Sequence, residues 1–556
     1  MRRNPVAASA ELRSTEVVTA DDIDRVARES FGIDQLKAAQ RDAIDAAVRG
    51  RDVLGVLATG YGKSAMYQIA ATLREGVTVV VSPLIALQED QLVGIENAPD
   101  APGGVAVNST GGVRRTREAW RKLRSGEARF VLLAPEQFTK EDVLETLAEL
   151  DVTLLVVDEA HCIASWGHDF RPDYLTLGAA ADRIGRPPIM ALTATASTPV
   201  RAEIVRRLGL RDPLECIGDL DRPNISLEVR RHTDDAAKRA AVVEEVVQLA
   251  RPGLVYTATR RDTESYAELL QARGLRAAPY HAGMAAKRRD RVHEDLLEGR
   301  LDVVVATCAF GMGIDKPDVR FVVHADAPES LDAYYQEIGR AGRDGEPAVA
   351  VLHFRPEDLA LRRFFTGGGP SAGELRKVLR ALGGGVSRRV ELAEASGLSS
   401  RRVTALLALL SDTGHVRIGR QGIRLLTPGD PAEAVADALE RADERERIEQ
   451  SRIEMMRSYA ESRRCRRQTL LQYFGEELDD PCGNCDVCEG AELPTSDAGV
   501  AQDAFGVDDR VRHEEWGPGT VMSVEDDRMT VFFEAEGYRV LSLELIAEKD
   551  LVELEN

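Results

Sequence analysis

No run of apolar residues in this chain approaches the roughly 18 to 20 needed to cross a bilayer, so the sequence predicts no membrane span. The chain opens with Arg2 and Arg3, but no apolar stretch follows. Residues 1–19 therefore read as a loose tail and not as a secretion signal, and the expected location is the cytoplasm. A positive balance is also missing: 72 Lys and Arg stand against 93 Asp and Glu, a net charge of −21. Nucleic-acid binders usually carry a basic domain. Bulk charge bears on solubility and long-range steering, so what matters is where the positive charge sits. Cysteine is sparse, at seven residues. Cys162, Cys216 and Cys308 are scattered among apolar or motif residues and read as small core side chains. Cys465, Cys482, Cys485 and Cys488 cluster, which without a secretion signal argues for a metal site and against a disulfide framework.

With 556 residues the chain has room for several domains. Between residues 20 and 215, short apolar runs at Val77–Val81, Phe130–Leu133, Leu154–Val157 and Ile189–Leu192 are spaced by amphipathic segments. That pattern predicts buried parallel strands with crossover helices. Residues 216–366 repeat it, at Leu254–Tyr256, Val303–Ala306, Phe321–Val323 and Ala350–Leu352, giving two α/β lobes in tandem. Beyond a Gly-rich linker at 366–370, residues 371–427 read as three helices and a hairpin, a winged helix-turn-helix. Its ten Arg and Lys against four Asp and Glu suit DNA. Residues 431–475 read as long charged helices with mostly solvated faces, within a module ending at 490. A polar linker, 491–504, leads to a β-rich segment, 505–556.

Ala58-Thr59-Gly60-Tyr61-Gly62-Lys63-Ser64 follows the apolar run Val53–Leu57 and precedes a helical stretch. Backbone N–H groups of such a turn, at a helix N-terminus, can wrap phosphates. Lys63 would reach the β- and γ-phosphates and the Ser64 hydroxyl would ligate Mg²⁺. The usual pattern is incomplete, because Leu57 stands at the first glycine position. Asp158-Glu159-Ala-His161, at the end of a second apolar run, supplies the partner. Asp158 would hold Mg²⁺ and Glu159 would polarise the attacking water. In the second lobe, Gln336-Glu-Ile-Gly-Arg340-Ala-Gly-Arg343 offers arginines that could cross the cleft to the γ-phosphate. The four clustered cysteines, spaced Cys-x16-Cys-x2-Cys-x2-Cys, can fill a tetrahedral structural Zn²⁺ site. Arg463, Arg464, Arg466 and Arg467 beside the first are expected to help keep the thiolates ionised.

These motifs resemble the RecQ DNA helicases of superfamily 2, over about residues 20–366 and again 450–488. The resemblance is carried by Phe31–Gln40, Ala58–Ser64, Val79–Leu87, Asp158–His161, Ala191–Ala196, Tyr280–Gly283, Val305–Asp315 and Tyr335–Gly345. Its most specific piece is His161–Tyr174, similar to the aromatic-rich loop that couples DNA binding to ATP hydrolysis in those enzymes. Trp166 and Phe170 can stack on unpaired bases, and Arg171 can add a phosphate or cation–π contact. The resemblance implies an α/β fold with two RecA-like P-loop NTPase lobes and a zinc-binding helical module; the winged helix read above and a small C-terminal β-barrel complete the expected architecture. It implies ATP, Mg²⁺ and structural Zn²⁺ as cofactors, single-stranded and forked DNA as partners, 3′–5′ movement, and a place with the nucleoid. Lys37 and Gln40 would contact adenine, and Arg340 and Arg343 would serve ATP.

The chain departs from this family in four places. Ile33 stands where an aromatic often stacks on the base, and Lys37 where Arg is common. The winged helix precedes the zinc ligands instead of following them. The tail, with Val507–His513, Trp516–Val521 and Thr530–Phe533, resembles a Tudor-like barrel of some superfamily 1 repair helicases, implicated there in RNA polymerase contact. Residues 505–556 hold 14 acidic and five basic residues, which argues for a protein partner and against phosphate. Two other readings remain open: an RNA helicase, and a recruitment factor whose lobes only clamp DNA.

Overall fold

Short aliphatic and β-branched runs become the strands of two separate parallel sheets. The computed structural model describes residues 18–555 apart from 59, 84–87, 89–90, 96–102, 109–111, 165–170, 219, 311–315, 360–368, 420–421, 427–430, 477, 491–504, 507–508, 525–527 and 550. In the first lobe the strands are β1 (Val53–Val56), β2 (Val77–Val81), β3 (Gly104–Val107), β4 (Phe130–Leu133), β5 (Val152–Val157), β6 (Ile189–Thr193) and β7 (Leu214–Ile217). They lie in the order β3-β4-β2-β5-β6-β1-β7, all parallel. Helices cover both faces, so β1, β2, β4 and β6 are buried along their whole length. Alternate residues serve opposite faces: Leu54 and Val56 join one apolar cluster, Val53 and Leu57 the other.

The second lobe repeats the construction with β8 (Ile225–Arg231), β9 (Gly253–Tyr256), β10 (Ala277–Tyr280), β11 (Val303–Ala306), β12 (Phe321–His324) and β13 (Ala348–Phe354). Their order is β10-β11-β9-β12-β13-β8, again all parallel. In open sheets of this kind ligands gather outside the carboxyl ends of strands. The phosphate loop leaves the end of β1 and Asp158 the end of β5.

Helices Ala372–Gly383, Arg389–Ser396 and Ser400–Asp412, with the antiparallel hairpin β14 (Val416–Gly419) and β15 (Gly422–Leu425), share one core. Three helices followed by a hairpin is the order of elements expected of a winged helix. Ser371 opens it with a reciprocal cap to Glu374. The following helix, Pro431–Glu461, corrects the expectation of mostly solvated faces. Ala434, Val435 and Ala438 complete the winged-helix core, while Ile448, Ile453, Met456 and Tyr459 enter the core of the lobes. Three of the charges on this helix are paired outside it: Arg441 with Asp412, Arg447 with Glu536 and Arg452 with Asp332.

Five antiparallel strands close the chain: β16 (Arg510–His513), β17 (Gly517–Val524), β18 (Arg528–Phe533), β19 (Gly537–Ser542) and β20 (Val552–Leu554), in the order β19-β18-β17-β16-β20. This C-terminal β domain has its own core around Val511, Val531 and Phe533. Met522, Phe532 and Tyr538 face away from that core and join the core of the lobes. Among the described residues no helix is long and apolar enough to cross a membrane. Cys162 and Cys216 are buried as expected, but Cys308 is exposed, because it stands in the turn after β11 and outside the strand.

Candidate active site and zinc centre

Gly62, with φ 84°, occupies the left-handed region where L side chains are strained, and it starts the helix Lys63–Thr72. Lys63 is thereby the first helical residue, and its Nζ folds back over its own loop, donating to Leu57 O at 3.0 Å and Ala58 O at 3.4 Å. Burial pulls the Lys63 ammonium below its ordinary range, while Glu159 and Asp158 pull it back up. Ser64 follows it into the first turn, half-buried. Gln40 braces the same loop: its Nε2 donates to Tyr61 O at 2.7 Å and its Oε1 accepts from Lys37 N at 2.9 Å. The Lys37 ammonium lies 3.8 Å from the Tyr61 ring centre, a cation–π distance. Lys37 and Gln40, expected at adenine, thus both hold Tyr61 here. Thr59 lies outside the described residues.

Asp158 sits at the end of β5, fully enclosed. Its Oδ1 accepts from Glu159 N at 3.0 Å and its Oδ2 from Gln91 Nε2 at 3.1 Å. Burial, and then the neighbouring Glu159 carboxylate, raise its pKa to about 6. Glu159 has φ 49° and ψ 46°, a left-handed conformation that costs a non-glycine residue about 1–3 kcal/mol. Such strain concentrates at functional sites. The buried Asp158 carboxylate and the Ser64 hydroxyl, both near enough to act on the Tyr67 hydroxyl, offer hard oxygen donors of the kind that fit Mg²⁺.

His161 ties this strand end to the next. Its Nδ1 lies 2.8 Å from Thr193 Oγ1 and 3.4 Å from Glu159 Oε2, and Thr193 Oγ1 accepts from Thr195 N. The root of the aromatic-rich loop is pinned to the same place. Tyr174 Oη donates to Asp158 O at 2.9 Å, Arg171 N to Cys162 O at 3.0 Å, and Arg171 Nη1 to Pro83 O at 2.9 Å. Trp166 and Phe170 lie outside the described residues. The sequence reading gave His161, Thr193 and Tyr174 no role of their own. All three stand inside quoted motifs, and that was the signal available.

From the second lobe, helix Leu331–Ile338 carries Gln336, half-buried, toward the loop that holds both arginines. The two arginines part company. Arg343 Cγ comes within 3.8 Å of where a Cβ on Gly60 would stand, and its charge is felt by Lys63. Arg340 is buried and bonds the Tyr256 hydroxyl inside its own lobe. The loop is fixed by two residues that sequence reasoning missed. Arg222 donates to the carbonyls of Gly339, Ala341 and Gly342 at 3.1, 2.8 and 2.9 Å, and Asn224 Nδ2 to Gly342 O and Glu346 O at 2.8 and 2.9 Å.

The sulfur atoms of Cys465, Cys482, Cys485 and Cys488 all lie within 4.8 Å of one another, with Cys482 and Cys488 3.9 Å apart. A tetrahedron with Zn–S bonds of about 2.3 Å has edges of about 3.8 Å, so the four thiols fit structural zinc. Backbone N–H groups of Cys482, Asn484 and Cys488 point at the sulfurs of Cys465, Cys482 and Cys485, which favours thiolates. Two of the flanking arginines, Arg466 and Arg467, direct their side chains to oxygen acceptors. Arg466 is bidentate to Asp486, and Arg467 reaches Asp221 at 3.0 Å and Ile225 O at 2.6 Å. A guanidinium finds a carboxylate's planar fork more rewarding than a sulfur. Together with a bridge between Leu227 and Cys485, they moor the zinc module to the edge strand β8.

Comparison with known proteins agrees with this layout. Residues 37–203 match the DEAD/DEAH box helicase family, 237–345 the helicase conserved C-terminal domain, 429–489 the RecQ zinc-binding family, and 509–549 a protein family of unknown function, DUF3553. The ATP-dependent DNA helicase RecQ of Haemophilus influenzae is 36% identical over 464 residues, covering 83% of this chain and 63% of that protein. The probable ATP-dependent DNA helicase RecS of Bacillus subtilis is 34% identical over 460 residues, 82% of this chain and 89% of that protein. The chain thus spans 63% and 61% of the length of the RecQ proteins of H. influenzae and Pasteurella multocida. Among solved structures, helicase MrfA bound to DNA has a TM-score of 0.52 at 16% identity, covering 75% of this chain and 64% of that one. The helicase Lhr of Mycobacterium smegmatis, bound to single-stranded DNA and AMP-PNP, has a TM-score of 0.50 at 23% identity, with 75% and 63% covered. These two share the fold.

Proposed function

This chain belongs to the RecQ family of superfamily 2 helicases, and from that premise we propose that it is an ATP-dependent DNA helicase, moving 3′–5′ on single-stranded DNA and separating duplex or forked DNA in repair or recombination. The observation that carries the proposal is the meeting of two lobes at one phosphate loop: Arg343 of the second lobe beside Gly60 of the first, with Lys63, Asp158 and Glu159 beneath.

In this reading the loop Thr59–Ser64 receives the triphosphate and Lys63 leaves its carbonyls for the β- and γ-phosphates. Asp158 and Ser64 would hold Mg²⁺, which would supply charge neutralisation at the phosphates. Glu159 accepts the proton of the attacking water. His161, through Thr193, reports that event to the end of β6. Gln336 and Arg343 meet the transferred phosphoryl group, while Arg340 holds the arginine loop in register through Tyr256. Lys37 and Gln40 serve the adenine side after releasing Tyr61. Trp166 and Phe170 stack on bases, with Arg171 at the loop's root. Because Tyr174 is bonded to the carbonyl of Asp158, a DNA-driven shift of the loop pulls on the strand end that carries Glu159. The winged helix and the zinc module add grip on the duplex, and the acidic C-terminal domain suits a protein partner, RNA polymerase being the one its resemblance implies. The protein would work at the nucleoid.

Trp166→Ala tests the coupling. It should leave DNA-independent ATP hydrolysis within about twofold and remove most of the stimulation by single-stranded DNA, since a stacked aromatic is worth roughly 1–3 kcal/mol per base. Full stimulation in the variant would remove the loop from the mechanism.

A further inference from the structure

Ser197 is the N-cap of helix Thr198–Leu208, the position where a serine ordinarily accepts a hydrogen bond from the helix's own backbone. Here it makes no such bond. Its hydroxyl instead lies 3.1 Å from the hydroxyl of Tyr538, 341 residues away in the C-terminal domain. The Tyr538 ring also packs on that of Tyr473 in the zinc module, the centroids 5.3 Å apart. Tyr473 donates to Asp332 Oδ2 at 2.6 Å, and the buried Arg452 meets the same oxygen at 2.7 Å. A line of contacts thus runs from Ser197 through the hydroxyl of Tyr538, across its ring to Tyr473, and on through the Tyr473 hydroxyl to Asp332. All four side chains are buried.

The two ends of this line lie in segments that lead to the two sides of the candidate nucleotide site. Ser197 closes the segment Thr193–Ser197, whose Thr193 bonds His161. Asp332 stands in the first turn of helix Leu331–Ile338, one turn before Gln336 and two before the loop of Arg340 and Arg343. The C-terminal domain is held hard against this junction. Gly537, at φ 74°, lets β19 approach so closely that a Cβ there would lie 2.9 Å from Ile448 Cα. Arg447 donates to Ala535 O at 2.9 Å, and Ser451 Oγ accepts from Tyr538 N at 2.9 Å.

We propose that Tyr538 is a positioning residue for ATP hydrolysis: through it the C-terminal domain ties Ser197 of the first lobe to Asp332 of the second and holds the lobes at the separation where Arg343 meets the phosphate loop. The inference rests on the motor reading above. It gives the C-terminal domain an internal task, independent of any partner on its outer face.

Tyr538→Phe in the full chain removes one oxygen and keeps the ring. An arginine that acts on the transferred group bears on kcat more than on ATP affinity. The expected result is a fall of about tenfold in DNA-stimulated kcat, with KM for ATP changed less than about twofold and the unfolding temperature nearly unmoved. Ser197→Ala should give the same fall, and the double variant no further one, because both remove the same link. Gly537→Ala, which pushes the domain away from Ile448, should reproduce the kcat loss at unchanged KM. Wild-type kcat in Tyr538→Phe, or independent losses that multiply in the double variant, would overturn the proposal. Wild-type protein that does not hydrolyse ATP in the same assay would sink the motor reading instead.

Discussion

Glu159→Gln should lower ATP turnover by about 10²–10⁴-fold, the usual weight of a general base, while ATP still binds. Glutamine has the same size and keeps the left-handed turn, but it cannot take a proton from water. It also removes the negative charge that sits beside Asp158 and above Lys63. A triphosphate brings its own negative charge, so binding should hold or tighten. Steady-state kcat and equilibrium binding of a fluorescent nucleotide separate the two effects. Turnover above a tenth of wild type would remove Glu159 from the role of base.

Removing zinc should have the largest effect on stability. Structural zinc contributes apparent binding free energies of about 10–16 kcal/mol in small peptides. Here Cys485 is fully buried, and the module it closes is fastened to β8 and, through Glu476, to Leu220 between the lobes. The purified protein should carry one zinc per chain, and four thiols should become reactive together as it leaves. Cys485→Ser should lose the metal and lower the unfolding temperature by on the order of 10 °C. A chain that folds normally and holds no zinc would contradict this account of the module.

What the sequence made legible was whatever is local or periodic. Buried strands show as apolar runs, and the phosphate loop, Asp158–His161 and the four cysteines show by spacing. The winged helix shows as three helical faces and a hairpin. What it hid was made by pairs far apart in the chain. Arg222 and Asn224 are ordinary polar residues in a turn, and nothing before folding says that they hold the arginine loop 117–122 residues later. Helix Pro431–Glu461 is dense in charge and reads as solvated. Yet Arg452 is buried because Asp332, 120 residues away, meets it. Tyr538 looks like any strand aromatic, and its hydroxyl's partner is 341 residues upstream. Arg340 and Arg343 share one motif. Only the fold separates them, one turned into its own lobe and one across the cleft.

In the proposed function two lobes form one ATPase governed by DNA. The most direct measurement is the rate of ATP hydrolysis by the wild-type chain with no nucleic acid, with single-stranded DNA, and with RNA of matched length. The account predicts a slow basal rate raised at least tenfold by DNA and much less by RNA. An equal rate in all three conditions, or a stronger response to RNA, would contradict it.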